Sequence, residues 1–296
     1  GDVIMTCGGA GALNVILKAL LDPGDEVIVP APCLMEYRFY VDNHGGVIRT
    51  VACREDFSLD LETIADAVNA KTKAVLINSP NNPTGQVYPE ESLADLGALL
   101  AAKSREMDRV IYLLSDEPYR KIVFGGQKAP SIFKAYEQSI VAASYSRDLS
   151  IPGERIGFAA VHPDAIYKEE IMAAMALTIR ILGFVNAPSL MQRVVADLQG
   201  MCVDIGEYQR KRDLLCDGLA DAGYDFDMPS GAFYLFPKTP VEDDAAFVQE
   251  LQKELILTVP GSGFLGPGRF RIAYCVDDAT IVNAMPGFKR VMERYR

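Results

Sequence analysis

The sequence predicts an α/β fold in which helices sandwich a mostly parallel sheet, followed by a small C-terminal α+β domain. As far as about residue 161, short β-branched runs alternate with segments of helical apolar spacing, a pattern typical of parallel sheets covered on both faces. A long helical stretch then extends to about residue 222. The remaining residues alternate between strand and helix patterns over a short length. These three observations place a large domain before a small one.

The alternation also defines individual elements. We predict strands at 25–30, 47–52, 73–78, 109–115, 139–144 and 155–161, and crossover helices at 11–21, 59–70 and 89–104. The later helical stretch, 163–222, is interrupted near Gly183 and Pro188. After an alternating run at 232–236, which we interpret as a strand, we predict a helix at 241–255, two strands of which the second is at 269–275, and a helix at 280–295. The predicted domains are residues 1–185, a connecting helix at 186–222, and residues 223–296.

Length and composition exclude several classes of protein. A chain of 296 residues, 49% hydrophobic and 23% charged, can bury a large core, which excludes disordered and fibrous classes. Lys and Arg total 29 against 40 Asp and Glu, a net charge of −11 without a basic run, so we expect no nucleic-acid partner. Six scattered cysteines and two histidines lack metal-site spacing, and we predict no metal site.

Targeting signals are not recognisable in the sequence. No apolar run approaches the roughly 20 residues that span a bilayer, and no signal peptide is visible. We therefore expect a soluble cytoplasmic protein with no membrane partner. The chain opens on Gly1 rather than on methionine, and we expect that the natural protein begins further upstream.

Two segments with polar side chains follow predicted strands. Residues 78–85 (NSPNNPTG) would lie at the carboxyl edge of the sheet, where α/β proteins bind ligands, although an ordinary Asn/Pro turn explains them equally. Residues 115–120 (SDEPYR) end the next buried strand. There Asp116 can hold a protonated ring nitrogen, as in cofactor enzymes, or can simply cap a helix or pair with a surface cation.

Two further segments suit an anion. Residues 144–158 supply hydroxyls and a guanidinium at two consecutive strand ends, including Ser144 and Arg155. Residues 6–13 (TCGGAGAL) form the glycine-rich start of a helix, whose free N–H groups and dipole favour negative charge. A glycine turn without a ligand is the alternative interpretation of that segment.

Taken together and in their order along the chain, the four segments resemble the fold-type I aminotransferases. This is the class I/II family of pyridoxal 5′-phosphate (PLP) enzymes that includes aspartate and alanine aminotransferases. The resemblance runs from residue 1 to residue 296 and includes residues 260–264 (PGSGF) and 270–274 (FRIAY), which are similar to the family's substrate-carboxylate segment. It implies an aspartate aminotransferase-like fold, PLP as cofactor, and amino acid and 2-oxo acid substrates. It also implies a homodimer, which would cover the apolar stretch 179–184.

The resemblance assigns roles to individual residues. Asn82 and Tyr119 would bind the phenolic oxygen of the cofactor ring, and Asp116 its nitrogen. Four residues would bind the phosphate: Gly9, Ala10, Ser144 and Arg155. Arg271 would receive the substrate α-carboxylate as a two-pronged pair, with Asn82 also facing the substrate. Residue 147, Asp116 and Tyr119 would form the catalytic set.

Three positions depart from the family pattern. Arg147 lies eight residues before Arg155, where the family has the lysine that binds the cofactor covalently and later shuttles the proton. A guanidinium stays protonated with a pKa above about 12, so we expect noncovalent binding and slow or absent transamination. Leu34 replaces an aromatic ring that stacks on the pyridine, so it would give contact without stacking. Ala10 leaves only an N–H where many members add a hydroxyl.

Three functions stay open at this point. The first, which we predict, is an aminotransferase impaired by Arg147 in place of a working lysine. The second is a catalytically inactive homologue that binds PLP, its aminated form or a related phosphate ligand, and the changes at Arg147 and Leu34 favour it. The third is another fold-type I PLP enzyme, such as a lyase or a decarboxylase.

Overall fold

The computed structural model describes residues 1–295. Its large sheet has seven strands in the order β1-β7-β6-β5-β4-β2-β3. These strands are β1 (Val3–Thr6), β2 (Glu26–Ala31), β3 (Val47–Ala52), β4 (Thr72–Asn78), β5 (Tyr112–Asp116), β6 (Ser139–Ser144) and β7 (Gly157–Val161). Strand β7 is antiparallel to both of its neighbours, and the other pairs are parallel. The predicted mostly parallel sheet is confirmed.

All six strands predicted for the large sheet are present, and β1 is an additional edge strand. Two of them, β5 and β7, begin two or more residues later than predicted. Residues 109–111 lie outside β5, where Arg109 binds the carboxylate of Asp25 and the carbonyl of Ala70. Strand β7 begins at Gly157 because Arg155 has a left-handed backbone, with φ of 49°, which an extended strand does not adopt.

Helices cover both faces of the sheet. One face packs against α1 (Gly8–Leu20), α2 (Glu36–Asp42) and a later helix, α5 (Lys168–Ile181). The other packs against α3 (Leu61–Ala67) and α4 (Glu90–Glu106). Successive strand residues alternate between the two cores, so Val27 and Val29 pack with the first set of helices and Ile28 with the second. This alternation confirms the predicted sandwich.

The helical stretch that follows β7 is broken more often than predicted. It contains α5, α6 (Ser189–Asp197) and α7 (Ile205–Ala222), so the connection predicted at 186–222 is two helices rather than one. Asp204 caps α7 by accepting hydrogen bonds from the N–H groups of Gly206 and Glu207. Gly223, with φ of 91°, ends α7 in the left-handed conformation.

The C-terminal residues form a small α+β unit. Its antiparallel sheet has the order β8-β10-β9, formed by β8 (Tyr234–Leu235), β9 (Val259–Pro260) and β10 (Phe270–Ala273). Helices α8 (Asp244–Lys253) and α9 (Asp278–Glu293) pack against it. The alternating run 232–236 is buried throughout. Within it, Phe233 packs edge-on against Tyr119 at the rim of the large sheet. This contact joins the small unit to the large one.

Candidate functional site

Polar residues from several strand ends meet at one edge of the large sheet. Strands β4, β5 and β6 run parallel, so their last residues, Asn78, Asp116 and Ser144, share this edge. Strand β7 runs the opposite way and therefore starts here, just after Arg155. Strand β1 ends here and leads into α1, whose first turn contains Gly9. The sheet topology thus brings segments that are distant in sequence to one place.

These strand ends border a cavity of about 330 Å³. The ten residues that the sequence predicted for a ligand all line it: Gly9, Ala10, Leu34, Asn82, Asp116, Tyr119, Ser144, Arg147, Arg155 and Arg271. Six further polar lining residues were not predicted: Glu36, Tyr37, Tyr40, Asn78, Ser146 and Tyr234. The three-residue spacing of Tyr37 and Tyr40 on α2 places both rings on one helix face, a signal that could have identified them.

Asp116 is the buried carboxylate of this cavity. Its Oδ2 accepts a 2.6 Å hydrogen bond from Tyr37 Oη, and no cationic side chain among residues 1–295 forms an ion pair with it. Burial raises the pKa of Asp116 to about 7; the Tyr37 hydrogen bond opposes this shift and the charge of Glu117 adds to it. A buried carboxylate without a cationic partner suits a positively charged group on a ligand, such as a protonated ring nitrogen.

The first turn of α1 offers free backbone donors. The residue before the helix, Cys7, makes no side-chain capping hydrogen bond. No side chain among the described residues accepts from the N–H groups of this first turn, and two of its residues, Gly9 and Ala10, line the cavity. Such a helix start attracts anions.

Hydroxyl and guanidinium groups lie next to this helix start. Ser144 Oγ donates to Ser146 Oγ at 2.7 Å and accepts from the N–H of Ser146 at 3.0 Å. Arg155 donates to the carbonyl of Pro152 at 3.0 Å and has no anionic partner among the described residues. Its guanidinium lies against Gly8, where an added Cβ would come within 2.8 Å of Nη2. This cluster of donors and positive charge has the chemistry of a phosphate site.

The small unit contributes a second guanidinium to the cavity. Arg271 on β10 donates through Nη1 to Asn82 Oδ1 at 2.9 Å. Its guanidinium carbon lies 4.6 Å from the ring centroid of Tyr234 and 4.5 Å from that of Phe264. Its Nε is buried and has no hydrogen-bond partner within residues 1–295. A buried, unpaired N–H on a guanidinium suits a carboxylate that can accept two parallel hydrogen bonds.

Arg147 is a third guanidinium in the cavity wall. Its guanidinium carbon lies 5.8 Å from the ring centroid of Tyr119 and 5.5 Å from that of Phe233. It makes no hydrogen bond or ion pair within the described chain. The carboxylate of the next residue, Asp148, binds Lys121 instead, at 2.8 Å. Arg147 is thus held by aromatic rings and keeps its hydrogen-bonding groups free.

The remaining predicted residues have partners within the protein. Tyr119 Oη is 2.9 Å from Tyr234 Oη, within hydrogen-bond distance, and burial raises the pKa of Tyr119 well above its usual value. Asn82 accepts from Arg271, while its own N–H donates to Asn78 Oδ1 at 2.7 Å. The predicted contacts of Tyr119 and Asn82 with a cofactor oxygen stay predictions. Leu34 lines the cavity without an aromatic ring.

Residues 1–295 show neither a metal cluster nor a membrane-spanning helix. No group of three or more His, Cys, Asp and Glu side chains could hold a metal ion in this part of the chain. None of its helices is both long enough and apolar enough to cross a bilayer. The two histidines have structural contacts, since His44 Nε2 is 3.1 Å from Asn14 Oδ1 and His162 Nε2 is 3.0 Å from the carbonyl of Phe133.

The donor set fits a phosphorylated pyridine ligand. Asp116 is a buried anion that could hold a ring cation, Arg155 and the start of α1 could hold a phosphate, and Arg271 could hold a carboxylate. A mostly parallel sheet with this set at its carboxyl edge defines an enzyme of the PLP-dependent aminotransferase class. No lysine within residues 1–295 lines the cavity, so the lining offers no amine for covalent attachment of such a cofactor.

Comparison with known sequences identifies the family. The family described as "Aminotransferase class I and II" matches residues 2–287, and the chain belongs to this family. The probable aspartate aminotransferase of Methanocaldococcus jannaschii is 31% identical over 99% of this chain and 78% of its own length. The aspartate/prephenate aminotransferase of Thermus thermophilus is 32% identical over 99% of this chain and 76% of its own length. PLP is the cofactor of this family.

Solved structures show the same fold. An amino transferase from Eubacterium rectale superimposes with a TM-score of 0.97 and 42% identity, covering 100% of this chain and 75% of that one. Aspartate aminotransferase from Thermus thermophilus with maleate superimposes with a TM-score of 0.84 and 31% identity, covering 98% and 76%. The architecture is therefore that of fold-type I aminotransferases, and the family function is transamination.

Proposed function

We propose that this chain binds PLP without a covalent bond and that arginine at position 147 impairs its transamination of amino acids with 2-oxo acids. One observation carries the proposal: a single cavity contains three charged side chains without charged partners among residues 1–295, Asp116, Arg155 and Arg271, together with an arginine at position 147. The three match the charges of a ring cation, a phosphate and a substrate carboxylate. The arginine cannot supply the free amine that covalent attachment of the cofactor and proton transfer require.

Each of these residues would have a defined task. Asp116 would hold the proton on the ring nitrogen and so keep the ring positively charged. When bound, PLP supplies an electron sink for the charge that develops on the substrate. Arg155 and the first-turn N–H groups would fix the phosphate, and Arg271 would orient the α-carboxylate. All four contacts are noncovalent, and none depends on residue 147.

Proton transfer is the step that this chain lacks. A guanidinium has no free lone pair that could take up a proton, so Arg147 cannot act as the base. Tyr119 is the nearby alternative, but burial raises the pKa of its phenol, and its hydroxyl is engaged with Tyr234. A neutral, hydrogen-bonded phenol is a weak base. We therefore expect turnover far below that of an enzyme with lysine at position 147.

A cofactor-binding protein without transamination is the second candidate. The observation that favours it is the position of Arg147 over the rings of Tyr119 and Phe233. Cation–π contacts of this kind stabilise a guanidinium by about 0.5–2 kcal/mol, so the arginine has a favourable place in the wall. A retained binding site with a stable replacement at the reactive position is compatible with a regulatory or carrier protein.

We further propose a homodimer and a cytoplasmic location. Exposed apolar side chains near the end of α5, including Ile181, Phe184 and Val185, support an interface. Ile179, from the stretch predicted to be covered by a second copy, is instead buried in the chain's own core. The six cysteines are free thiols, as is usual in a reducing compartment.

A division into domains is also proposed. Residues 1–185 would form the cofactor-binding domain and residues 223–296 the small domain, with 186–222 as the connection. Separate apolar cores in the large sheet and in the C-terminal part support it. Residues that follow β5, such as Ile122 and Phe124, pack into the C-terminal core, so we expect the two domains to unfold cooperatively.

The substitution Arg147→Lys tests the proposed function. The starting chain should bind PLP reversibly, lose it on dialysis, and give no adduct after borohydride treatment. The Arg147→Lys variant should give a borohydride-trapped adduct at residue 147, located by peptide mass spectrometry, and should transaminate faster. Recovery should be partial, because Leu34 provides no ring to stack on the cofactor.

The matched control is Arg147→Gln, which is neutral and cannot form the adduct. It should bind PLP reversibly and stay inactive. Two results would contradict the proposal. One is ordinary aminotransferase turnover by the arginine chain, and the other is failure of a folded arginine chain to bind PLP at all.

A further inference from the structure

We propose that Lys121 is a positioning residue: by binding the carboxylate of Asp148, it prevents that carboxylate from pairing with the cationic side chain at position 147. The side chain at position 147 then keeps its place in the wall of the ligand cavity. The link to the cofactor rests on the proposed function, because the ligand that this side chain would face is PLP. The ion pair itself lies behind the cavity wall.

Lys121 and Asp148 form an ion pair whose carboxylate is buried. Lys121 Nζ lies 2.8 Å from Asp148 Oδ2, and the side chain of Asp148 is only 9% exposed. Both residues line a small second cavity of about 130 Å³, which shares Pro118 and Ser144 with the ligand cavity. The other carboxylate oxygen, Oδ1, is buried and has no hydrogen-bond partner within residues 1–295. Lys121 is therefore the one cation that pairs with this carboxylate in the described part of the chain.

The dipeptide Arg-Asp occurs twice in the sequence, and the second copy has no lysine on its aspartate. There, Arg212 Nε donates to Asp213 Oδ1 at 2.8 Å, and Arg212 Nη2 lies 2.7 Å from the same oxygen. No lysine within residues 1–295 forms an ion pair with Asp213. Consecutive arginine and aspartate side chains thus pair directly in this protein when the aspartate is free.

The two arginines are similar in their surroundings but not in their pairing. Each guanidinium lies over an aromatic ring. Its carbon is 5.5 Å from the ring centroid of Phe233 for Arg147. The same distance is 4.6 Å from Phe124 for Arg212. Arg212 is bound by the carboxylate that follows it, whereas Arg147 has no hydrogen bond or ion pair among the described residues. Lys121 accounts for this difference, because it binds the carboxylate next to Arg147.

Without the charge of Lys121, the carboxylate of Asp148 would be buried with no cation beside it. A buried ion that loses its partner is strongly unfavourable, so a neighbouring cation is drawn to it. Arg120 also lines the second cavity, but it is already bound to Glu117. Arg147 is adjacent and has free N–H groups. Its guanidinium would therefore turn away from the aromatic rings and toward Asp148, and a lysine at position 147 would do the same.

Chemical modification of arginine tests this without cofactor or turnover. Phenylglyoxal reacts with accessible guanidinium groups, and peptide mass spectrometry gives the rate at each arginine. Lys121→Gln removes the charge and keeps an N–H for the carbonyl of Met201, which Lys121 binds at 3.0 Å. Lys121→Arg keeps the charge, and the double variant Lys121→Gln/Asp148→Asn removes both charges. The side chain of Lys121 is 37% exposed, so these variants should fold.

In Lys121→Gln, modification of Arg147 should slow by about tenfold, the effect of one charge-assisted hydrogen bond. It should approach the rate at Arg212, which is already paired. Lys121→Arg should leave the rate unchanged, and the double variant should restore it, because asparagine has no charge to attract a guanidinium. Two other arginines of the ligand cavity, Arg155 and Arg271, should react at the same rate in every variant.

The consequence for the cofactor is tested in the Arg147→Lys variant. Added to it, Lys121→Gln should lower the initial rate at which the borohydride-trapped PLP adduct forms at residue 147 by about tenfold. Further addition of Asp148→Asn should restore this rate. A general loosening of the fold would not be repaired by a second substitution, so the recovery separates positioning from a structural role.

Two outcomes would overturn the inference. If Arg147 is modified equally fast in the unaltered chain and in Lys121→Gln, Asp148 does not compete for its guanidinium. If the slow rate persists in the double variant, the carboxylate is not its cause. Neither result touches the proposed function, which fails instead if the folded, unaltered chain does not bind PLP.

Discussion

Tyr37 Oη donates a 2.6 Å hydrogen bond to Asp116 Oδ2 and so ties helix α2 to the end of strand β5 inside the cavity. Both side chains are buried, and the phenol is the only side-chain donor within residues 1–295 that bonds to this carboxylate. The hydrogen bond fixes the orientation of the carboxylate but does not neutralise its charge. Asp116 therefore carries a desolvation cost that a cationic ligand would relieve.

The substitution Asp116→Asn should stabilise the cofactor-free chain at pH 8 and have little effect near pH 4. The pKa of Asp116 is raised from 3.8 to about 7 in the folded chain, so the folded state favours the protonated acid. Stability is consequently lost as the pH rises between these two values, and the loss is complete above the folded pKa. Asparagine has no charge to desolvate. We expect a gain of about 4 kcal/mol in the free energy of unfolding at pH 8, measured with urea.

The exposed Asp66 on α3 offers a matched control for this effect. Asp66→Asn should leave the free energy of unfolding unchanged at both pH values. With PLP present, Asp116→Asn should lower cofactor affinity at pH 8 by about tenfold, since the ring nitrogen loses its counter-ion. If the free energy of unfolding depends on pH in the same way for Asp116→Asn and Asp66→Asn, Asp116 carries no desolvation cost in the folded chain.

If Arg155 binds the phosphate, its replacement should lower the affinity only for ligands that carry a phosphate. Arg155→Gln should weaken PLP by about tenfold to a hundredfold, because it removes a charge-assisted contact, and should leave pyridoxal, which lacks the phosphate, unaffected. Equilibrium dialysis with both ligands would measure this difference. Arg212→Gln is the control, because Arg212 packs on Phe124 away from the cavity lining. If Arg155→Gln weakens the binding of PLP and of pyridoxal equally, Arg155 stabilises the fold rather than binding the phosphate.

Much of the site was predictable because its residues lie in short segments at strand ends. Parallel strands bring such segments to one edge, so Asn82, Asp116 and Ser144 could be grouped from sequence alone. The direction of β7 was not predicted. Its connection to β6, residues 145–156, contains only a short 3-10 helix at 152–154, and a parallel crossover normally needs a longer helix.

Other parts of the site depend on tertiary packing that local sequence does not express. Tyr37 reaches Asp116 from helix α2, and Tyr234 reaches Tyr119 from the small unit, across 79 and 115 residues of sequence. The position of Arg147 over Tyr119 and Phe233 likewise requires the small unit to be docked. A residue's partner at such separations is set by how the two cores meet, and no pattern in either segment specifies it.

Close helix packing gives a prediction on stability. Gly97 on α4 lies against the backbone carbonyl of Ala135, which an added Cβ would overlap. Gly97→Ala should therefore lower the free energy of unfolding by about 1–2 kcal/mol, even though alanine favours helix. Gly218 on α7 is the comparison, because the atoms facing it belong to the flexible side chain of Met285. Gly218→Ala should be close to neutral in the same urea unfolding experiment, and equal losses in both variants would contradict this distinction.

The carboxylate assignment of Arg271 can be tested with ligands that differ in one group. The Nε of Arg271 is buried without a partner, and its Nη1 is held by Asn82, so the guanidinium is oriented before any ligand arrives. The unaltered chain should bind N-(5′-phosphopyridoxyl)-L-alanine about tenfold to a hundredfold more tightly than N-(5′-phosphopyridoxyl)-ethylamine, which lacks the α-carboxylate. Arg271→Gln should abolish this preference. Arg271→Lys should recover only a fraction of it, because an ammonium cannot match a carboxylate with two parallel hydrogen bonds. If Arg271→Gln keeps the full preference for the alanine conjugate and binds the ethylamine conjugate as tightly as the unaltered chain does, another residue of the cavity must bind the α-carboxylate.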